Sequence, residues 1–226
     1  MEALNQEEMK EELLRLTESR LHVYAVLSQF FETEVTDAYA RDFASTFDFE
    51  CTSDELNNTF TQMRECLTDC DDHDIEELAV VFDRVFFGRG PRTAHKAFPY
   101  ESVYTSVGGR MNQEAWTQVK AIYAKAGFEK NPSFKEPEDH IAVELSFMAE
   151  ICNQVIDALK AGNMQAAEAL LHCQYQFMQD HIINWLKPFY ADVQKATNNE
   201  GFYSLLMTAT YLFIELDQDI LLELIS

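Results

Sequence analysis

The sequence predicts an all-α protein, built as a single compact domain of about nine helices. It holds only seven glycines and five prolines among 226 residues, and apolar–polar alternation of the kind typical of strands is scarce. Hydrophobic residues make up 47% of the chain, which is enough for one sizeable core. We expect one domain over residues 1–226, with an N-terminal helical part of about 1–110 and a C-terminal helical part of about 111–226.

The N-terminal part predicts a series of amphipathic helices. Apolar residues recur there at spacings of three and four, and Thr52 and Ser53 are good cap residues for the third helix. The acidic cluster Asp69–Asp74 is interpreted as a linker. The predicted helices are Leu4–Glu32, Asp37–Phe47, a third ending near Cys70, and Ile75–Phe87.

Gly88–Gly109 is predicted to be the one long irregular segment. Such a long connection inside a compact domain is usually functional or mobile. It is not a phosphate-binding P-loop, because it lacks the required glycine and lysine spacing. Its cations are expected mainly to pair with the acidic remainder of the protein. They are Arg84, Arg89, Arg92 and Lys96.

The C-terminal part centres on the stretch Asn131–Met148. Pro137 suits the first position of a helix, followed by carboxylates in the first turn, where they complement the helix dipole. That helix should run to about Ala161. The sequence therefore predicts that four polar residues lie at its exposed N-terminal mouth: Glu136, Glu138, Asp139 and His140.

Three further helices are expected around this one. Asn112 should cap a preceding helix that ends at Gly127, a favourable C-terminal glycine. After a turn at Gly162 another long helix follows, which Pro188 should kink or end. The segment beyond it is either one helix or two broken ones.

The charge and the cysteines limit the possible functions. A formal net charge of −22 repels nucleic acid, and indicates either a well-solvated acidic surface or a basic peptide partner. The five scattered cysteines indicate a reducing compartment. The N-terminus lacks an export signal, and the longest uncharged apolar run, Phe202–Ile214, is too short for a membrane span. We therefore expect a cytoplasmic protein.

Catalysis is poorly supported by the sequence. His140 with Glu144 could act as a base or bind a metal, and Cys66 with Cys70 is a weaker candidate, but no H-x-x-x-H pair is present. No catalytic residue, metal or cofactor is predicted. Six aromatic residues favour core packing individually and a binding groove as a group. They are Phe98, Tyr100, Tyr104, Phe134, Phe147 and Trp185.

Four ordered blocks carry a resemblance to a known family. The run Glu136–Met148, E-P-E-D-H-I-A-V-E-L-S-F-M, is similar to the E-P-x-D-H signature of the TorD/DmsD family of redox-enzyme maturation chaperones. The other blocks are Leu21–Phe31, Arg84–Gly88 with Phe98–Tyr104, and His181–Pro188 with Gly201–Leu206.

This resemblance implies an all-helical cytoplasmic chaperone. It would bind the twin-arginine signal peptide of a molybdenum-cofactor oxidoreductase and hold the apoenzyme until cofactor insertion. It would be a monomer or a homodimer, which in some members is domain-swapped. The implied peptide-binding residues are Glu136, Pro137, Asp139, His140, Tyr100, Glu101, Ser102 and Tyr104.

Two alternatives remain open at this stage. The protein could be a nitrate-reductase-type assembly chaperone, whose client is not exported and carries no twin-arginine motif. It could also belong to another class, that of a helical metal-dependent enzyme using His140 and Glu144.

Overall fold

A computed structural model describes residues 6–226, with side chains from Glu7 onward. The start predicted for the first helix, at Leu4, lies outside the described residues. Ten α-helices and one π-helical segment follow in order. They are α1 (Gln6–Glu32), α2 (Asp37–Thr46), α3 (Asp54–Leu67), α4 (Asp72–Phe86), α5 (Glu101–Thr105), α6 (Glu114–Ala126), α7 (Ile141–Lys160), α8 (Met164–Phe177), the π segment (Met178–Ile183), α9 (Asn184–Thr197) and α10 (Phe202–Leu224).

The predicted all-α single domain is confirmed. α8, the π segment and α9 form one continuous run, so the described residues contain nine separate helical runs. No strand occurs among them, and the one β-type pairing is an isolated antiparallel bridge between Tyr100 and His140. None of the described helices is both long enough and apolar enough to cross a membrane.

The core is organised around the packing of α1 along α7. The apolar spacing of α7 buries Ile141, Leu145 and Met148 together with the last turns of the helix, as predicted. The hydroxyl of Ser28 on α1 donates to the carbonyl of Ala142 at 2.7 Å, which fixes the start of α7 against α1. α10 then packs on α3, α8 and α9 and closes the other side of the core.

Several helix ends lie where the sequence predicts them. The Ser53 hydroxyl accepts the N–H of Leu56 and caps α3. Gly127 ends α6 with a φ of 70°, a left-handed conformation that favours glycine. α7 ends at Lys160, and α10 is one unbroken helix.

Three predicted boundaries in the first 130 residues are wrong. α4 begins at Asp72, inside the predicted linker, because Asp71 and Asp74 form a reciprocal capping box. Asn112 does not cap α6: its φ of 56° places it in the preceding turn, and α6 begins without a side-chain cap. The predicted irregular segment also contains the short helix α5.

The helix after Pro137 also begins later than predicted. The N–H of His140 bonds the carbonyl of Pro137 at 3.2 Å, so Pro137–His140 forms a turn rather than the first turn of the helix. α7 begins at Ile141, and the His140 ring caps it by accepting the N–H of Ala142. A turn replaces the first helical turn here because the side chain of Asp139 is hydrogen-bonded to the backbone of another segment, as described below.

Pro188 does not end the helix, but lies inside α9. A proline ring normally clashes with the carbonyl four residues earlier, here that of Asn184. The wider π segment ends at Ile183, directly before that carbonyl, so the change of pitch absorbs the disturbance.

A buried ion pair joins α1, α8 and α10. Arg20 contacts Asp217 at 2.5 Å and donates to the Gln174 side chain at 2.6 Å, while the Tyr24 hydroxyl donates to Asp217 at 2.5 Å. Burial opposes the charge on Arg20, but Asp217 more than compensates and raises its pKa above the ordinary value. The pair therefore fixes the register of three helices.

Replacing Asp217 by asparagine should destabilise the fold by about 3–5 kcal/mol, because the buried guanidinium loses its counter-charge. Urea unfolding followed by circular dichroism measures this loss. Asp219→Asn, which removes the same charge from an exposed position of α10, serves as the control. Equal unfolding midpoints for the two variants would show that the ion pair contributes nothing.

Candidate functional site

The signature Glu136–His140 forms the turn that precedes α7 and lies against the segment before α5. The Glu101 N–H donates to the carbonyl of Asp139 at 2.9 Å, and the Ile141 N–H donates to that of Pro99 at 2.9 Å. These two backbone bonds flank the bridge between Tyr100 and His140. The predicted irregular segment and the signature are thus one structural unit.

The predicted exposed mouth is wrong for two of its four residues. The side chain of Asp139 is fully buried and that of His140 is 1% exposed, because the paired segments cover them. Glu136 and Glu138 are half-buried and reach the surface. Only these two carboxylates of the signature are accessible to a ligand in this conformation.

Asp139 is buried because it bonds the backbone of the preceding segment. One of its carboxylate oxygens accepts the N–H of Ser102 at 3.0 Å, near the start of α5. Ser102 is also buried, and its hydroxyl accepts the N–H of Gln113 at 3.1 Å. The other oxygen of Asp139 has no partner among the described residues. Asp139 and Ser102, both predicted to bind peptide, are therefore buried residues whose hydrogen bonds fix the conformation of the site.

Glu101 extends this buried cluster to the last long helical run. One of its oxygens lies 3.0 Å from Nδ1 of His181 in the π segment. The other accepts the side-chain N–H of Asn184 at 3.0 Å. The Glu101 side chain is 2% exposed, so it too is a buried member of the cluster.

Glu144 completes the cluster from the first turn of α7. The Trp185 indole N–H donates to one of its oxygens at 3.2 Å. Burial, followed by the neighbouring charges of Glu101 and Asp139, raises the pKa of Glu144 well above its ordinary value. The Glu144 carboxyl group is therefore neutral in the fold, and its other oxygen has no hydrogen-bond partner among the described residues.

His140 is held neutral in the same environment. Burial, with a smaller contribution from Lys130, lowers its pKa to about 3. Its Nδ1 accepts the N–H of Ala142, and its ring makes edge contacts with Tyr100 and Phe134. Across the described residues, no three His, Cys, Asp or Glu side chains are placed to hold a metal ion.

The accessible rim is formed by Glu136 and Glu138. Glu136 accepts the Tyr100 hydroxyl at 2.5 Å. Partial burial acts to raise the pKa of Glu138, but the indole N–H of Trp116 lowers it below the ordinary value, assisted by Lys130. Lys130 lies 3.8 Å from Glu138 and also donates to the carbonyl of Glu136. The Glu138 carboxylate is consequently ionised at neutral pH.

Tyr104 belongs to a second, partly exposed group beside the cluster. Its ring stacks on Trp185 with centroids 5.5 Å apart, and its hydroxyl donates to Asp192 at 3.3 Å. The other oxygen of Asp192 lies 2.8 Å from Nε2 of His95. This group ties the segment before α5 to α9.

The aromatic residues considered as groove walls are mostly core. Phe147 and Trp185 are fully buried, and Tyr100 is 3% exposed. Phe134 and Tyr104 are half-buried, and only Phe98 counts as exposed. The packing interpretation is therefore correct for most of them, and a groove built from all six is wrong.

Sequence reasoning missed the roles of His181, Asn184, His95 and Asp192. The spacing of His181, Asn184 and Trp185 was the available signal, since these residues fall within one helical turn and all carry polar hydrogen-bonding groups. For Asp192 and His95 the sequence offers no such signal, because their pairing depends on the tertiary fold.

The fold and the site together define a class of protein. It is a helical domain with a buried carboxyl cluster and two accessible carboxylates beside it, an arrangement suited to binding a cationic partner. The model of the family described as nitrate reductase delta subunit matches residues 50–191.

The relatives of this chain identify the family more narrowly. It is 27% identical to the "Chaperone protein TorD" of Photobacterium profundum, over 94% of this chain and 98% of that protein. It is 30% identical to a protein of the same name from Vibrio cholerae serotype O1, over 96% of this chain and 99% of that protein. The chain belongs to the TorD family of redox-enzyme maturation chaperones, which are not enzymes.

The raised pKa of Glu144 predicts a specific pH dependence of stability. A carboxyl group that is protonated in the fold loses stabilising free energy as pH rises above its ordinary pKa of 4.5, by up to about 1.4 kcal/mol per pH unit. Glu144→Gln keeps a neutral donor and acceptor but cannot ionise. Urea unfolding between about pH 5 and pH 8 should show the variant gaining stability relative to the parent protein as pH rises.

Glu150→Gln, at a half-buried position two turns further along α7, is the matched control. Its stability should follow the parent protein at every pH. Parallel pH profiles for Glu144→Gln and the parent would contradict a neutral Glu144.

Proposed function

We propose that this protein is a cytoplasmic chaperone that binds the twin-arginine signal peptide of a molybdenum-cofactor oxidoreductase and holds the apoenzyme until its cofactor is inserted. Family membership and the name of the relatives support the chaperone role. The accessible carboxylates of Glu136 and Glu138, above a buried cluster, support the cationic ligand.

The proposal rests on the two accessible carboxylates of the rim, those of Glu136 and Glu138. Guanidinium groups pair with carboxylates in two-point hydrogen bonds and are more weakly hydrated than ammonium groups. Glu138 is ionised at neutral pH, and Glu136 is held in place by Tyr100. An arginine pair arriving at this edge meets oriented carboxylates, drawn there by a protein of net charge −22.

The buried residues affect peptide binding indirectly, because they fix the position of the rim. Asp139 and Glu101 have no accessible surface for an arginine, and exposing them would break the bonds to Ser102, His181 and Asn184. Asp139 and His140 instead fix the turn that carries Glu136 and Glu138, while Pro137 restricts its backbone. Of the remaining predicted residues, Tyr104 is accessible in part and could contact the peptide beyond the rim.

A second candidate function is favoured by one observation, the description of the matching family model as nitrate reductase delta subunit. A chaperone of that kind would bind the N-terminus of a client that lacks the arginine pair. The two functions differ in whether the arginines are needed for binding.

Titration calorimetry with a twin-arginine signal peptide tests the proposal. Changing the peptide's arginines to lysines should weaken binding about tenfold or more, because lysine forms no two-point pair with a carboxylate. Glu136→Gln together with Glu138→Gln should weaken binding of the arginine peptide by a similar factor. Raising salt should also weaken it, because exposed charges are screened.

The control is Glu76→Gln together with Glu77→Gln, which removes the same charge from exposed positions of α4. It should leave the affinity within about twofold of the parent. Equal affinity for the arginine and lysine peptides would reject the arginine-specific rim and favour the second candidate function.

A further inference from the structure

A lysine of the protein itself contacts the accessible rim. The Nζ atom of Lys130 lies 3.8 Å from a carboxylate oxygen of Glu138 and donates a hydrogen bond to the backbone carbonyl of Glu136. Among the described residues, no other side-chain cation lies within 4.0 Å of either rim carboxylate. The Glu138 carboxylate therefore already has a cationic partner within the protein.

The two oxygens of Glu138 have separate partners. The indole N–H of Trp116 donates to one of them, and Lys130 faces the other. Because a carboxylate oxygen can accept more than one hydrogen bond, Trp116 can keep its bond while another cation takes the place of Lys130. The position of the Lys130 ammonium group is thus the place at which an incoming cation reaches Glu138.

The contact between Lys130 and Glu138 is one that an arginine can improve on. Their side chains are 22% and 23% exposed, so the pair lies at the surface. Its separation of 3.8 Å exceeds the distance of about 2.7–2.9 Å that is typical of a charge-assisted hydrogen bond. A guanidinium group can form two such bonds with one carboxylate, whereas an ammonium group acts as a point charge.

The backbone on both sides of Lys130 is anchored independently of its side chain. The ring of Phe128 packs edge-on against that of Phe147, with centroids 5.4 Å apart. The side-chain N–H of Asn131 donates to the carboxylate of Glu32 on α1 at 2.8 Å. The Lys130 side chain can therefore leave the rim while the connection between α6 and α7 stays in place.

We infer that Lys130 is a resident cation of the rim, meaning that its ammonium group occupies the arginine position in the free protein and is displaced when the signal peptide binds. This inference rests on the proposed function, since it concerns the same carboxylate and the same ligand. Lys130 then sets a threshold for binding. A peptide lysine only exchanges one ammonium group for another, whereas a peptide arginine adds the two-point pair.

Two substitutions at Lys130 should change peptide affinity in opposite directions. Lys130→Gln removes the resident cation and should strengthen binding of the twin-arginine peptide by about threefold to tenfold in titration calorimetry. The peptide with lysines in place of arginines should gain by the same factor, because both peptides displace the same group. Lys130→Arg should weaken binding of both peptides by about threefold or more, since an internal guanidinium group would itself form the two-point pair with Glu138.

Lys135→Gln is the matched control, because it removes the same charge from an exposed position of the same connection. It should change both affinities by less than about twofold. Equal gains in Lys135→Gln and Lys130→Gln would reduce the effect to net charge and overturn the displacement. Unchanged affinity in both Lys130 variants, each shown by circular dichroism to be folded, would overturn it as well.

Lysine acetylation measures the displacement in the unaltered protein. With the arginine peptide at about ten times its Kd, acetylation of Lys130 should become about twofold faster or more, because the displaced ammonium group is more exposed. Acetylation of Lys135 should keep its rate, and mass spectrometry of the digested protein measures both lysines in one sample. Slower acetylation of Lys130 would show that it stays at the rim beneath the peptide, which contradicts the inference.

Calorimetry separates this inference from the proposed function. If the parent protein binds the arginine peptide but Lys130→Gln binds it no more tightly, the resident cation is rejected and the proposed function stands. If only Lys130→Gln binds, the lysine blocks the rim outright, so the inference stands and the proposed function of the parent protein is rejected. Absence of binding by both proteins overturns both.

Discussion

The bond from the Ser102 N–H to the carboxylate of Asp139 is the constraint on which the candidate site depends. It ties the first turn of α5 to the turn before α7, and burial makes this bond costly to break. With Asp139 held there, His140 becomes the cap of α7 and Glu136 and Glu138 remain at the surface. The acidic signature thus divides its residues between a buried framework and an accessible rim. A residue implied in peptide binding can serve it without contacting the peptide.

Two buried groups contribute to the stability of this framework with opposite dependences on pH. His140 stays neutral, so its contribution is lost as pH falls from its ordinary pKa of 6.5 towards about 3. Glu144 stays protonated, so its contribution is lost as pH rises from 4.5. Between these ordinary values the two effects oppose each other. Glu101, which contacts His181 and Asn184, links α5 to the π segment and α9.

Periodicity and turn chemistry predicted most of the fold. The spacing of apolar residues identified α7, and Gly127 and Ser53 identified helix ends, because these signals act within a few residues. The burial of Asp139 was not predictable, because its donor lies 37 residues away along the chain. The resemblance singled out the signature from the sequence alone, but the direction in which its side chains face depended on tertiary pairing.

The π segment changes the direction in which side chains point between the two ends of the run formed by α8, the π segment and α9. An α-helix advances by about 100° per residue, so converting Met178–Ile183 to regular α-helix would rotate α9 relative to α8 by roughly that angle. Trp185 and Asn184 would then turn away from Glu144 and Glu101 while α8 kept its packing in the core. The π segment therefore sets the rotation of α9 relative to α8. One continuous helical run can in this way pack apolar residues of α8 in the core and direct Asn184 and Trp185 to the polar cluster.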